Sequence, residues 1–284
     1  MLQVSRITAG FRRHWLPVVM AAGYAAIFFT LSWLRHVTFH TQAWDLGVFE
    51  QSLWNTLHGR VMYNDFENVN QLSVHFSPFL FLLVPFYAVA PGPTVLLVLQ
   101  AAALGSAVIP LFFLTHRWAG RTAGIVVSVA YLLYPSLHAL NLFDFHEVSF
   151  AVPALLWALD FLDRGNRLAA TVLLAVAAAT VESMILVTAV IGLYCMGTSR
   201  EHRRFGLGVT LGALTYFGLV AGVFMPALGG EVNRFLRDRY PTEFGNGKRG
   251  DPDAYCGGMD VMSEAERRRE AAAREKLAQW LARK

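Results

Sequence analysis

Residues 15–34, WLPVVMAAGYAAIFFTLSWL, decide the fold class of this chain. The run contains no charged side chain, and about 20 apolar residues of helix are enough to cross the hydrocarbon core of a bilayer. Three arginines, Arg6, Arg12 and Arg13, precede it, and it lacks a small-residue cleavage site. This pattern predicts an uncleaved membrane anchor whose N-terminus is cytoplasmic.

The composition of all 284 residues points the same way. Hydrophobic residues make up 55% and charged residues only 15%, with a mean hydropathy of +0.41, whereas soluble domains carry about 25% charged residues. Two cysteines, Cys195 and Cys256, cannot form a disulfide scaffold. No basic stripe interleaves with aromatics, so we expect no nucleic-acid partner. We predict an all-α, polytopic membrane helical bundle embedded in the lipid bilayer.

Further apolar runs follow the first at 94–115, 122–140, 148–162, 168–181, 183–197 and 205–226. Arginine clusters separate several of them, at Arg117/Arg121, Arg164/Arg167 and Arg200/Arg203/Arg204. The positive-inside rule places these clusters in the cytoplasm, where we also expect Asp160 and Asp163 as solvated partners of Arg164. The pattern predicts about seven spans in a transmembrane domain over 1–230, located in the plasma membrane.

Polar segments complete the predicted organisation. Residues 35–74 form an outer loop, which we expect to carry interfacial helices. Residues 231–284 form a charged tail, predicted as a loop followed by a helix that begins at Ser263. The side of the membrane on which this tail lies stays open, because the span count and its arginines disagree.

Two stretches depart from simple spanning helices. Residues 76–90 are short and contain Pro78 and Pro85, which predicts a re-entrant or interfacial segment. The runs 168–181 and 183–197 are each too short to span alone. They form a hairpin if Glu182 lies at a tip below the outer surface; the alternative is one long helix with a glutamate inside.

Residues 43–59, AWDLGVFEQSLWNTLHG, predict an amphipathic helix lying in the membrane interface. Leu46, Phe49, Leu53 and Leu57 form its apolar stripe, and Gln51, Asn55 and His58 lie on the far face. Asp45 falls in the first turn, where a carboxylate is either an N-cap or a functional group.

A second polar group, Asn141–Glu147, joins two apolar runs. Asp144, His146 and Glu147 lie within four residues and could bind a metal or relay a proton, although loops between helices are commonly polar. We expect the flanking Phe143 and Phe145 to bury this loop.

Isolated polar side chains complete the candidate set. Glu182, among Ala, Val and Leu, is costly to insert, by about 2.5–3.5 kcal/mol at a membrane centre, so it is a functional group or a helix cap. His75, Arg35, Arg237 and Arg239 are candidates for binding a lipid phosphate, although interfacial arginines also contact ordinary headgroups.

Four ordered motifs resemble one family. They are WDLGVFEQSLWNTLHG (44–59), HFSPFLFLLVPFYAVAPGP (75–93), AYLLYPSLHALNLFDFHEVSFAVPALLWAL (130–159) and the glutamate at 182. Together they resemble the domain-of-unknown-function family 2079 of bacterial and archaeal membrane proteins, over roughly 40–240. That family is in turn remotely similar to the GT-C superfamily of lipid-linked glycosyltransferases.

The resemblance implies an activity and assigns roles. It implies transfer of a sugar from a polyprenyl-phosphate carrier on the outer face, with Asp45 as base and Glu182 as the second catalytic residue. Substrate would be bound by Glu50, His75, Asp144, His146, Glu147, Arg35, Arg237 and Arg239. Oxygen ligands of this kind also suit a divalent cation, whose presence stays open. The alternatives are a transporter or flippase and a non-catalytic membrane protein.

Overall fold

The computed structural model describes residues 2–66, 69–198 and 200–228, together with Ala271, Ala272, Glu275, Lys276, Gln279 and Trp280. It is 82% helical and has almost no strand, so the chain is an all-α membrane helical protein as predicted. Most of the predicted tail, including Ser263, Arg237 and Arg239, lies outside the described residues.

Twelve α-helices are described, in chain order: α1 Leu2–Val37, α2 Val48–Leu57, α3 Gln71–Val74, α4 Leu80–Val89, α5 Pro93–Ser106, α6 Val108–Leu132, α7 Pro135–Leu142, α8 Ala151–Asp163, α9 Arg167–Ala178, α10 Glu182–Thr198, α11 Arg200–Leu219 and α12 Met225–Ala227. Ala43–Gly47 and Val220–Phe224 are π-helical, and Glu147–Phe150 is a 3₁₀ turn. Two short strands, β1 Tyr63–Asn64 and β2 Val69–Asn70, pair antiparallel.

Three segments among the described residues are long and apolar enough to cross a membrane: Trp15–Val37, Pro93–Leu132 and His202–Ala227. Shorter apolar helices are Leu80–Val89, Arg167–Ala178 and Glu182–Thr198. The number of spans and the cytoplasmic N-terminus remain predictions.

The chain divides into two compact units. The first comprises Met1–Thr41 and Ser77–Tyr216, and the second comprises Gln42–Phe76 and Phe217–Lys284. Within the first unit, Tyr24 of α1, Leu104 of α5 and Leu137 of α7 form a buried cluster. A second cluster joins Ala151 and Ala154 of α8 to Ala177 of α9. Small side chains there allow the two helices to approach closely.

Glycines set the closest helix contacts in this unit. A Cβ added at Gly105 of α5 would lie 2.7 Å from the carbonyl oxygen of Ala21 in α1. A Cβ at Gly206 of α11 would lie 2.7 Å from the backbone nitrogen of Met196 in α10, and one at Gly192 of α10 would lie 2.8 Å from that of Thr210. The α1–α5 and α10–α11 contacts therefore depend on the absence of side chains.

Helix breaks explain where the predicted runs end. Gly120, with φ of 82° and ψ of 176°, interrupts α6 between the two predicted arginines, a backbone conformation that glycine adopts most readily. The predicted run 122–140 is not continuous, because α6 ends at Leu132 and α7 begins at Pro135. Proline disfavours helical geometry in the residue before it, and Tyr134 is extended with ψ of 118°.

Two predicted irregular segments are present as short helices. Helix α4 has ten residues, with Pro85 inside it, and about 15 Å of helix does not cross a bilayer. Helices α9 and α10 are separate, so one long helix carrying Glu182 in its interior is not what the structure shows. The re-entrant or interfacial course of α4 stays a prediction.

The predicted solvation of Asp160 is wrong. Its side chain in α8 is fully buried, and its carboxylate oxygens lie 2.7 Å from Nη2 of Arg117 and 2.8 Å from Nη2 of Arg164. Asp163 is one-quarter exposed and accepts a hydrogen bond of 2.6 Å from the indole of Trp118. Sequence spacing predicted only the contact with Arg164, one helical turn away. The contact with Arg117, which lies on α6, was not predicted.

Candidate functional site

Gln100 organises the polar loop of the first unit. This side chain of α5 is fully buried, and its Nε2 donates to the carbonyl oxygens of Asp144 at 2.6 Å and Asn141 at 3.2 Å. Its Oε1 accepts hydrogen bonds from the backbone nitrogen of His146 at 2.7 Å and the hydroxyl of Ser149 at 3.2 Å. Both ends of one amide thus satisfy buried groups of residues 141–149.

Helix α1 fixes the beginning of the same loop. The Ser32 hydroxyl donates to the carbonyl of Asn141 at 3.1 Å, and the Asn141 amide donates to the Tyr24 hydroxyl at 3.2 Å. Helices α1 and α5, both remote from this loop in sequence, therefore bind it through side-chain hydrogen bonds. A turn that is merely solvated would not need such contacts.

The predicted loop residues occupy different environments. Asp144 is 2% exposed with φ of 55°, a left-handed conformation that Asp tolerates better than most residues. Glu147 is 4% exposed, while His146 is half-buried and its ring stacks on Phe143 at 5.5 Å. Phe145 is fully buried as predicted, whereas Phe143 is 50% exposed, so only one of the two rings is buried.

Residues 77–80 link this loop to the break between α9 and α10. The buried Ser77 hydroxyl donates to Oε1 of Glu147 at 3.0 Å. Two residues later, the backbone N–H of Phe79 donates to the carbonyl of Ala179 at 2.9 Å. Three segments that the sequence marked as irregular therefore meet in the first unit: the turn before α4, the 141–150 loop and the end of α9.

Glu182 is the first residue of α10 and is partly exposed. The amino end of a helix carries a partial positive charge that stabilises a carboxylate. At this position the carboxylate of Glu182 stabilises the amino end of α10. Its partial exposure also leaves Glu182 accessible from outside the protein core.

The second unit carries Asp45. It lies, partly exposed, in the π-helix Ala43–Gly47 that leads into α2. The N-cap of this π-helix is Gln42, so Asp45 is in the first turn and not at the cap. π-Helical turns are rare and often occur at functional sites. Glu50, one turn further in α2, is 3% exposed.

The predicted far face of this helix is polar, but of its three side chains only His58 is exposed. Gln51 and Asn55 are 2% and 5% exposed, because residues 63–65 fold over them. The amides of both side chains donate to Oδ2 of Asp65 at 3.2 Å, and the backbone N–H of Asp65 donates back to Oε1 of Gln51 at 2.9 Å. The predicted apolar stripe is buried at Leu46, Phe49 and Leu53, whereas Leu57 is 39% exposed.

Asp65 is a residue that the sequence did not single out. Arg60 completes its coordination by donating from Nη2 to Oδ1 at 2.7 Å and from Nη1 to Oδ2 at 3.2 Å. These hydrogen bonds raise the pKa of the exposed Arg60 guanidinium. The one available signal was the five-residue spacing of opposite charges in the outer loop, and this spacing is common in unrelated loops.

The remaining predicted binding residues have local partners. His75 is half-buried at the end of α3, and its backbone N–H donates to the carbonyl of Gln71 at 3.0 Å. Arg35 is exposed near the end of α1 and donates to the carbonyl of His40 at 3.0 Å. Arg237 and Arg239 lie outside the described residues.

A metal centre is not formed by the side chains that the structure describes. Over these ranges, no group of three or more His, Cys, Asp or Glu residues is arranged to hold a metal ion. Asp144, His146 and Glu147 are close in sequence, but they do not form such a group.

The family model described as "Predicted membrane protein (DUF2079)" matches residues 35–249. The chain belongs to this family. The match includes all four motifs and confirms the resemblance found in the sequence. No curated protein and no solved structure matches the chain. Membership of DUF2079 establishes a membrane protein of a family whose function is unknown, and the similarity to glycosyltransferases remains a prediction.

Proposed function

We propose that this DUF2079 protein is a membrane glycosyltransferase that takes its sugar from a polyprenyl-phosphate donor on the outer face, with Asp45 as general base. The observation that carries the proposal is the position of Asp45 in the π-helix before α2, where its carboxylate is partly exposed. Its neighbour Glu50 and the loop acids Asp144 and Glu147 are at most 4% exposed. Asp45 is therefore more accessible than these three acids.

Sugar transfer from such a donor requires one proton acceptor and a site that binds the phosphate of the donor. The acceptor hydroxyl gives its proton to Asp45 while its oxygen bonds to the anomeric carbon. The bond between that carbon and the phosphate oxygen breaks, and polyprenyl phosphate leaves with the electron pair. General base catalysis of this kind contributes about 10²–10⁴-fold.

The other candidate residues receive supporting roles. We propose that His75, which is half-buried and belongs to the same unit as Asp45, binds the donor phosphate. Phosphate binding by Arg35, an exposed residue of the first unit, stays a prediction. Glu182 belongs to the first unit, and its part in catalysis stays a prediction. Asp144 and Glu147 position the 141–150 loop through their buried contacts, and His146 is the member of that loop that a substrate can reach.

A direct test measures release of polyprenyl phosphate from proteoliposomes supplied with a panel of radiolabelled polyprenyl-phosphate sugars and a membrane extract as acceptor. We expect Asp45→Asn to reduce release about 10²-fold or more. Glu275→Gln, which neutralises an exposed acid, is the matched control and should leave release unchanged. Equal release by wild type and Asp45→Asn excludes Asp45 as the base.

One observation favours a second candidate, a transporter. The α9–α10 pair is a broken hairpin with an acidic residue at the break, and interrupted helices with charged groups are common in transporters. This candidate predicts solute uptake driven by a pH gradient in proteoliposomes and its loss in Glu182→Gln. Sugar transfer without such uptake decides for the glycosyltransferase.

A further inference from the structure

The end of the chain contacts the same unit that carries Asp45. Among its described residues, Lys276 and Trp280 are helical and four residues apart, so their side chains lie on one face. Nζ of Lys276 lies 3.4 Å from the carbonyl oxygen of Asp65 and 3.4 Å from that of Phe66. These two contacts connect Lys276 to the backbone of residues 65 and 66.

One helical turn further on, the ring of Trp280 meets Trp54 of α2. The two indoles are perpendicular, with centroids 6.2 Å apart, which is a preferred geometry for aromatic pairs. Trp54 also contacts the ring of His58, at a centroid distance of 4.2 Å. We call Trp54, His58 and the carbonyls of Asp65 and Phe66 the shelf. It offers an aromatic contact to Trp280 and an electronegative contact to Lys276, at the spacing of these two side chains.

We propose that the helical residues Lys276 and Trp280 belong to a strap that docks on this shelf, and that the strap therefore lies on the same side of the membrane as the loop carrying Asp45. The family match ends at residue 249, so the strap lies outside the region shared with the DUF2079 model. It is an interaction of this chain with itself that covers Trp54. It does not depend on the proposed transferase activity.

Site-specific photo-cross-linking tests the docking. A benzophenone amino acid replacing Trp280 keeps an aromatic group at that position. After illumination of intact membranes, we expect cross-links to the peptide that contains residues 48–66. The matched control carries the same photo-residue at Gln279, about 100° round the helix, and should give several-fold less of this product. Equal yields from the two positions, or cross-links from 280 to other peptides alone, would overturn the proposal.

Charge variants test the ammonium contact. Lys276→Glu places a carboxylate against two carbonyl oxygens and should lower the cross-link from position 280 several-fold. Glu275→Lys reverses the charge of the adjacent, exposed residue and should leave the yield unchanged. A yield insensitive to Lys276→Glu would remove this contact from the proposal.

The location of the strap has an independent readout. In a background with Cys195→Ala and Cys256→Ala, single cysteines at His58 and Lys276 are treated with a membrane-impermeant maleimide before and after permeabilisation. We expect the same pattern at both positions, whichever side the loop occupies. Labelling of one position before permeabilisation and of the other only afterwards would place them on opposite sides and refute the strap.

Discussion

The side-chain amide of Gln100 donates to the backbone carbonyl of Asp144 over 2.6 Å while accepting from the backbone nitrogen of His146 over 2.7 Å. One residue in the middle of α5 thereby fixes the conformation on both sides of Phe145. The left-handed backbone of Asp144 and the buried ring of Phe145 are held by this pair of bonds. Specific hydrogen bonds within the first unit therefore fix the conformation of this loop.

Gln100→Leu should destabilise the protein by about 1–3 kcal/mol, since it leaves several buried backbone groups without their amide partner. Four lost bonds at about 0.6 kcal/mol each, as is typical between membrane helices, would together cost about 2.4 kcal/mol. Reversible unfolding in mixed detergent micelles measures the change. Val98→Leu, at an exposed position two residues away on α5, is the control. A Gln100→Leu protein as stable as this control would show that the amide is dispensable.

The Ser77–Glu147 bond predicts a measurable coupling between the turn before α4 and the 141–150 loop. Ser77→Ala and Glu147→Leu each remove it, and the double variant should cost less than the sum by about 0.6 kcal/mol or more. A double-mutant cycle of unfolding free energies gives this number. Glu147→Gln keeps an acceptor oxygen and should retain most of the coupling; additive effects of Ser77→Ala and Glu147→Leu would contradict the bond.

Gly206→Ala should separate α10 from α11, because the new methyl group would lie 2.7 Å from the backbone nitrogen of Met196. Overpacking of this kind costs about 1–3 kcal/mol. Gly208→Ala is a matched control on the same helix, where a Cβ meets nothing within 4 Å. Thermal unfolding in detergent should show a lower midpoint for Gly206→Ala only. Equal midpoints for the two variants would disprove the close approach.

Acid should weaken the α6–α8 contact at Asp163. Burial raises the pKa of this carboxyl, but hydrogen bonds from Trp118 and Arg117 and the nearby guanidiniums outweigh it, so the pKa lies below its usual value of 3.8. A group with a depressed folded-state pKa contributes stability above its unfolded pKa and loses it as the pH falls through the folded pKa. The unfolding midpoint of wild type should therefore fall towards that of Asp163→Asn at strongly acidic pH. A gap between the two proteins that persists at the lowest pH would count against the ionised carboxylate as its cause.

The fold class was predictable because membrane burial leaves a strong composition signal. The interruption between the runs 94–115 and 122–140 was predicted from polar residues and contains Gly120, whereas the break before Pro135 was not predicted. The ends of the apolar runs were less well placed, because hydropathy does not distinguish the extended Tyr134 from the helical residues around it. A local sequence pattern does not show which tertiary contact fixes the end of each helix.

The candidate site was only partly predictable for a related reason. Asp144 and Glu147 stand out as acids near apolar spans, yet Gln100 is as important to the loop and is a single amide in a helix of aliphatic residues. The available signal was a single amide side chain in this helix. Nothing in the sequence links Gln100 to its partners, which lie 40 to 49 positions further along the chain. Asp65 was missed because its partners Gln51 and Asn55 resemble a solvated helix face until the loop covers them.

Gln100 also imposes an order on biosynthesis. During translation α5 leaves the ribosome before the carbonyl of Asp144, which lies 44 residues downstream, and at 5–20 residues per second this gap lasts about 2–9 s. For that interval the amide has no native loop to bind, although an apolar setting makes an unmatched amide costly. The hydrogen bonds of Gln100 therefore form only after the loop that follows α7 has been synthesised, so packing of this loop against α5 comes well after the synthesis of α5.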